Sequence, residues 1–153
     1  MGRFSDYIDA VEEQAALNEE AMDKRISEVR AEWETKAEPL RALAAALNEL
    51  RDDLASRNVA VEVLDKTNYP VFNDWNPSLE FQLVKLNAFP ARQSAHFTVK
   101  CWDGKYRITS KETSGRNEGQ TEDLGVRMLG PENIEGLIRK AISSYPWWAD
   151  ERR

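Results

Sequence analysis

Cysteine and histidine each occur only once in this chain of 153 residues, as Cys101 and His96. A lone cysteine excludes a disulfide within the chain, and one cysteine with one histidine falls short of the four ligands of a structural zinc site. The two residues differ in parity along one alternating segment, so a regular strand would place them on opposite faces. We therefore expect Cys101 in the core, His96 at the surface, and no catalytic pair between them.

Long apolar runs are also missing from the sequence. No stretch approaches the roughly 20 apolar residues that a membrane-spanning helix needs. The first residues, MGRFSDYIDAVEEQ, carry an acid every few positions and no apolar segment, unlike a signal peptide. Because the lone cysteine also suits a reducing compartment, we expect a cytoplasmic protein without a membrane partner.

Motifs for catalysis, cofactor binding or metal binding are lacking as well. Gly115 and Gly119 lie in a polar stretch without the Lys-Ser or Lys-Thr that completes a phosphate-binding loop. Adjacent carboxylates such as Glu12-Glu13 and Asp52-Asp53 occur in a segment of helical character, where they are typical of a solvated helix face. We predict no catalytic residue, no cofactor and no metal ion. A small enzyme with carboxylate-based chemistry is the function that these observations favour least.

Glycine is absent between Gly2 and Gly104, and charge is unevenly distributed. Residues 1–57 contain 14 acidic and 8 basic residues, a net charge of −6, whereas residues 58–153 contain 13 of each. Alanine, leucine, glutamate and arginine dominate the first segment, and all four favour helix. We predict two domains, a helical arm at 1–57 and a sheet domain at 58–153. The net charge of the whole chain, −6, disfavours non-specific nucleic-acid binding.

Apolar residues recur in the helical arm at the spacing of a coiled coil. The first positions are three or four residues apart: Ile8, Val11, Ala15, Asn18 and Met22. A second step of four, from Met22 to Ile26, is a stutter, and one heptad register follows it. We predict that this seam binds a partner helix, in the first place that of a second copy. The expected contact residues are Ile26, Val29, Trp33, Leu40, Leu43, Leu47, Leu50 and Leu54.

Pro39 interrupts the helical arm and allows two interpretations. The heptad register runs through it, which favours one kinked helix, but Thr35 to Glu38 also has the form of a capping box that would begin a second helix. The run Leu40-Arg-Ala-Leu-Ala-Ala-Ala-Leu47 is apolar over more than the two heptad positions of a coiled-coil seam. This part of the helical arm should therefore also pack on the sheet domain.

After Asn58 the hydrophobic period changes from helical to alternating. The alternating segments predict an antiparallel sheet of about five strands, centred on Val59–Val63, Leu79–Leu83, Phe97–Cys101, Tyr106–Ile108 and Leu124–Met128. Gly130-Pro131 begins a helix whose apolar positions, from Ile134 to Tyr145, can cover the sheet. The predicted fold class is α+β, with a long N-terminal coiled-coil-like arm before the sheet and a C-terminal helix.

The segment 65–78, DKTNYPVFNDWNPS, sets three aromatic residues among asparagines. Aromatic anchors with adaptable amides are typical of protein-binding surfaces, so Tyr69, Phe72 and Trp75 are candidate partner-binding residues. The alternative is that the same aromatics fold back on the edge of the sheet.

A two-residue turn at Asp103-Gly104 fixes the pairing of the strands beside it. Lys100 then lies opposite Arg107, and like charges directly opposite cost on the order of a few tenths of a kcal/mol. This face is either a solvated surface or a site at which an anion neutralises the cations. The anion would be nucleic acid stacked on a tryptophan, an acidic partner protein or the acidic helical arm itself. The candidate anion-binding residues are Lys100, Trp102, Lys105, Arg107 and Lys111.

Taken together, these patterns favour a non-enzymatic protein-interaction module, an oligomeric adaptor or inhibitor that acts through the helical arm and the exposed aromatics. A homodimer through the arm is the expected assembly. The alternative is a module that binds nucleic acid or another anion through the basic face of residues 96–111. The outline, a long acidic helix followed by a small sheet and a terminal helix, is similar to that of many small accessory proteins, including phage-encoded inhibitors of bacterial defence.

Overall fold

A computed structural model describes residues 2–69, 76–87, 92–113 and 118–146. Its elements in chain order are α1 (Ser5–Ala55), β1 (Val59–Lys66), β2 (Ser78–Lys85), β3 (His96–Trp102), β4 (Lys105–Lys111), β5 (Thr121–Arg127) and α2 (Pro131–Ser144). The predicted α+β class is confirmed, with a long N-terminal helix, a five-stranded antiparallel sheet and a C-terminal helix.

α1 is a single helix with Pro39 inside it, so no second helix begins at this proline, and the predicted kink stays a prediction. Proline has no amide N–H and weakens the helical hydrogen bonds of the preceding turn. In that turn the Lys36 carbonyl accepts a hydrogen bond of 2.6 Å from the Tyr106 hydroxyl. The helix ends where Asn58 adopts a left-handed backbone conformation, φ 55°, and its N–H donates to the Ala55 carbonyl.

The chain forms two compact units, Met1–Thr35 and Lys36–Arg153. The first contains the N-terminal part of α1. The second contains the rest of α1, the sheet and α2. We predicted a domain boundary between residues 57 and 58, and this boundary stays a prediction.

The five strands pair in chain order as an antiparallel meander, β1-β2-β3-β4-β5. The hairpin register predicted from the Asp103-Gly104 turn is confirmed, with Lys100 opposite Arg107 and Trp102 opposite Lys105. Asp103 and Gly104 have φ values of 49° and 76°, the positive pair that a type I′ turn requires.

One face of the sheet forms the core with α1 and α2. Its strands contribute alternating side chains such as Phe81 and Phe97, whose rings stack with centroids 5.2 Å apart. α2 contributes buried Ile134, Leu137 and Ala141. α1 contributes buried leucines at positions 40, 43, 47, 50 and 54. The expectation that this part of the helix packs on the sheet is therefore confirmed.

The fifth strand differs from its predicted pattern. Leu124, Val126 and Met128 were expected to share one face, but only Leu124 packs against the core. Gly125 has φ 97°, and the pairing of β4 with β5 shifts between Arg107 and Thr109. This bulge changes the parity of the strand, so Val126 and Met128 are exposed and Leu129 is buried instead.

Candidate functional site

The first candidate surface is a stripe on the N-terminal part of α1. Its large apolar side chains are 47–65% exposed, although they recur at the three- and four-residue spacing of a helix that packs against another. We call this set the arm stripe: Ile8, Val11, Ala15, Met22, Ile26 and Val29. Asn18 lies within it, and its side-chain oxygen accepts a hydrogen bond of 3.0 Å from Gln14.

The structure corrects part of the predicted partner-binding set of the helical arm. Ile26 and Val29 are exposed, as a partner contact requires. Trp33 is only 5% exposed, and the five leucines from Leu40 to Leu54 are core residues that bind the sheet domain rather than a second protein. The reason is that the same heptad register continues along α1 while its surroundings change. Its apolar residues are exposed before residue 33 and buried from Trp33 onward.

The aromatic loop is described only in part. Tyr69 is half-buried, whereas Phe72 and Trp75 lie outside the described residues. The role predicted for these three residues stays a prediction.

The second candidate surface is the outer face of the sheet, opposite to the core. The strand registers align Lys66, Ser78, Lys100, Arg107 and Val126 as one row across all five strands. The row spans three strand spacings from Lys66 to Arg107, about 14 Å, and it contains no acidic residue. The next row carries Glu80 and Asp123, so positive charge is concentrated toward the hairpin end of this face.

Trp102 lies beside this row and is 53% exposed. The Arg107 guanidinium is 5.1 Å from the centre of its ring, a cation–π contact across the β3–β4 hairpin. Lys105 lies opposite Trp102 on the neighbouring strand. We call Lys66, Lys100, Trp102, Lys105 and Arg107 the basic patch. It offers a cationic row next to an exposed aromatic ring.

The predicted anion-binding set and the basic patch differ in two residues. Lys111 lies opposite His96, four residues along β4 from Arg107 and about 13 Å away, so it does not belong to the basic patch. His96 has its Nε2 atom 3.7 Å from a carboxylate oxygen of Glu80. Lys66 does belong to the patch, and sequence analysis missed it. The only indication in the sequence was that Lys66 is an even number of residues from Glu62 and Leu64, so all three lie on the same face of β1.

The only cysteine and the only histidine of the sequence lie on opposite faces of the sheet. Cys101 is 1% exposed on the core face, and His96 lies on the outer face, as predicted. Among the described residues, no three of the histidine, cysteine and carboxylate side chains come together as metal ligands. Burial, with a smaller contribution from the neighbouring Cys101, raises the pKa of the Tyr106 hydroxyl to about 12. This hydroxyl donates to the Lys36 carbonyl, which is a structural role.

A groove of about 560 Å³ runs between α1 and α2 in the second unit. Leu50, Ile134 and Ile138 form part of its apolar lining. The carboxylates at its edge, Glu49 and Asp53, are exposed, without the burial that tunes a general acid or base. The lining of the groove is mostly apolar and does not suggest a reaction.

Within the described residues, no helix combines the length and the apolar character needed to cross a membrane. The chain matches no protein-family model, no curated protein and no solved structure. Its function is therefore inferred from its own surfaces.

Proposed function

We propose that this chain is a non-enzymatic protein-interaction module, an adaptor or inhibitor, that self-associates through the arm stripe. The observation that supports this proposal is the row of apolar side chains, 47–65% exposed, along a helix that is otherwise strongly charged. Single exposed apolar residues are common on protein surfaces, but a helical row of them is typical of an interface. The lone, buried Cys101 fits a reducing compartment, and we propose a cytoplasmic location.

A second helix of the same kind is the partner that this surface fits. In proteins, most of the stability of a helix comes from the packing of its apolar face rather than from its intrinsic helix propensity. The arm stripe follows the coiled-coil spacing, in which each apolar residue inserts between residues of a facing helix. A second copy supplies that facing helix with the same spacing.

Replacing Ile26 with glutamate tests this proposal. The parent protein should have a mass of 35 kDa in light scattering at tens of micromolar, twice the 17.5 kDa of one chain. In Ile26→Glu, association would bury two carboxylates in an apolar seam, so the dissociation constant should rise by roughly a hundredfold or more.

Leu17→Glu is the matched control for Ile26→Glu. Leu17 is 54% exposed, comparable with Ile26 at 51%, but it is two residues from Ala15 and so lies on the opposite side of α1. This variant should keep the mass of the parent. A parent protein that is a monomer at this concentration, or equal weakening by both variants, would contradict self-association through the arm stripe.

A second candidate function is binding of a single-stranded nucleic acid by the basic patch. It is supported by the acid-free row of Lys66, Lys100 and Arg107 next to the exposed ring of Trp102. Cations that follow a phosphate backbone, combined with an aromatic ring on which a base stacks, are the usual elements of such sites. Three or four phosphate contacts predict a slope of about −2 to −3 for the logarithm of affinity against the logarithm of salt concentration.

Lys100→Glu and Lys111→Glu test the basic patch as a matched pair on the same sheet face. Binding of a labelled single-stranded DNA of roughly ten nucleotides is measured by fluorescence anisotropy at several salt concentrations. Lys100→Glu should weaken binding about tenfold or more and flatten the salt slope, because it removes one phosphate contact and adds repulsion. Lys111→Glu should bind like the parent. Equal losses in both variants would indicate only a general charge effect.

A further inference from the structure

The order of residues in the arm stripe has a symmetry that a repeating heptad does not require. From Ile8 to Val29 its positions are separated by three, four, seven, four and three residues, which read the same in both directions. The stutter between Met22 and Ile26 creates this palindrome, since an unbroken heptad register would place the next position at residue 25. The palindrome stops at Val29 because Trp33, the next position, is already buried.

The charges of the two halves of the arm stripe are complementary. Residues 6–15 contain four acids and no base, a net charge of −4. Residues 22–31 contain two acids and three bases, a net charge of +1. Two parallel helices in register would place each half against itself, and −4 would face −4. Two antiparallel helices would place residues 6–15 of each copy, with a net charge of −4, against residues 22–31 of the other, with a net charge of +1. This arrangement removes most of the repulsion.

We propose that two copies of this chain pair their arm stripes antiparallel, about a two-fold axis between residues 18 and 19. This inference rests on the proposed self-association and specifies its geometry. A two-fold interface pairs each residue with its symmetry mate, so a palindromic spacing is what an antiparallel homodimer needs. Ile8 then lies opposite Val29 of the second copy, Val11 opposite Ile26, and Ala15 opposite Met22.

The residues nearest the axis fit this arrangement. Each small Ala15 faces a long and flexible Met22, so the two layers next to the axis combine one small and one large side chain. Asn18 lies within about 1.5 Å of the axis along the helix, close to Asn18 of the second copy. A pair of asparagines in an apolar seam can hydrogen-bond only in one register, which fixes the alignment at some loss of stability.

Cysteine cross-linking in the full chain tests the orientation. Ile8→Cys and Val29→Cys are prepared separately, each is oxidised alone in a glutathione buffer, and an equimolar mixture is oxidised after the copies have exchanged. Free thiols are then blocked and disulfides are identified on non-reducing gels and by mass spectrometry. The parent, whose Cys101 is buried, and Leu17→Cys on the opposite side of α1 serve as controls.

The antiparallel pairing predicts that the disulfide between residues 8 and 29 in the mixture exceeds the disulfides of either variant alone by roughly tenfold. In that pairing the two copies of residue 8 are about 32 Å apart, whereas a disulfide needs Cβ atoms about 3.5–4.5 Å apart. Efficient cross-linking of Ile8→Cys alone would show a parallel dimer, which overturns this inference and leaves the proposed self-association intact. If the parent has a mass of 35 kDa but the Ile8→Cys and Val29→Cys variants form no disulfide, alone or mixed, the register is overturned. A monomeric parent would overturn both proposals.

Discussion

Truncation of Leu47 to alanine is expected to lower the free energy of unfolding by about 2–5 kcal/mol. Leu47 is fully buried in the core formed by α1, the sheet and α2. The substitution removes three carbon atoms from a site where the surrounding strands and helix can close the resulting cavity only in part. The measurement is urea unfolding of the full chain, followed by tryptophan fluorescence and circular dichroism.

Leu17→Ala is the matched control for Leu47→Ala, because the same change is made on the same helix at a side chain that is 54% exposed. Its effect should stay within about 0.5 kcal/mol. Equal losses in the two variants would contradict the position of Leu47 in the core.

The contribution of α1 to this core predicts which fragments of the chain fold on their own. A fragment of residues 58–153 lacks all five leucines that α1 contributes to the core, and it should not unfold cooperatively. A fragment of residues 36–153 keeps them and should have a cooperative transition. A stable 58–153 fragment would support the division that the change in composition predicts and would contradict the role of α1 in the core.

The sequence indicated the helical register of the arm but not what covers each part of it. Ile26 and Leu47 occupy the same heptad position, yet Ile26 is 51% exposed and Leu47 is buried. Periodicity identifies an apolar stripe, whereas its covering depends on residues distant in sequence. The only local signal was the wide apolar face from Leu40 to Leu47, which exceeds a coiled-coil seam and indicated the sheet as the partner.

Strand pairing could be predicted only where a short turn fixes it. The Asp103-Gly104 turn set the register of β3 and β4, so the pairing of Lys100 with Arg107 was correct. Lys66 was missed because β1 and β2 are joined by a longer connection, which does not determine the register. The parity of β5 was wrong because Gly125 adopts a positive φ that alternation alone does not reveal.

The stability of this protein is expected to fall by about 2 kcal/mol between pH 10 and pH 12 through Tyr106 alone. Burial, with a smaller effect of Cys101, raises the pKa of this hydroxyl from 10.0 to about 12. The folded chain therefore holds the proton over a range in which the unfolded chain releases it. The stabilisation is fully present below pH 10 and is lost as the pH rises through 12.

Tyr106→Phe isolates this effect from the lysines and other tyrosines that titrate in the same range. The variant loses the hydrogen bond to the Lys36 carbonyl and should be about 1 kcal/mol less stable at pH 8, but its stability should depend less on pH above 10. Tyr7→Phe, at a position that is 72% exposed, is the matched control and should follow the parent at every pH. The measurement is the free energy of unfolding of the parent and the two variants from pH 8 to pH 12. If the parent and Tyr106→Phe lose the same stability over this range, the buried hydroxyl does not titrate as its surroundings require.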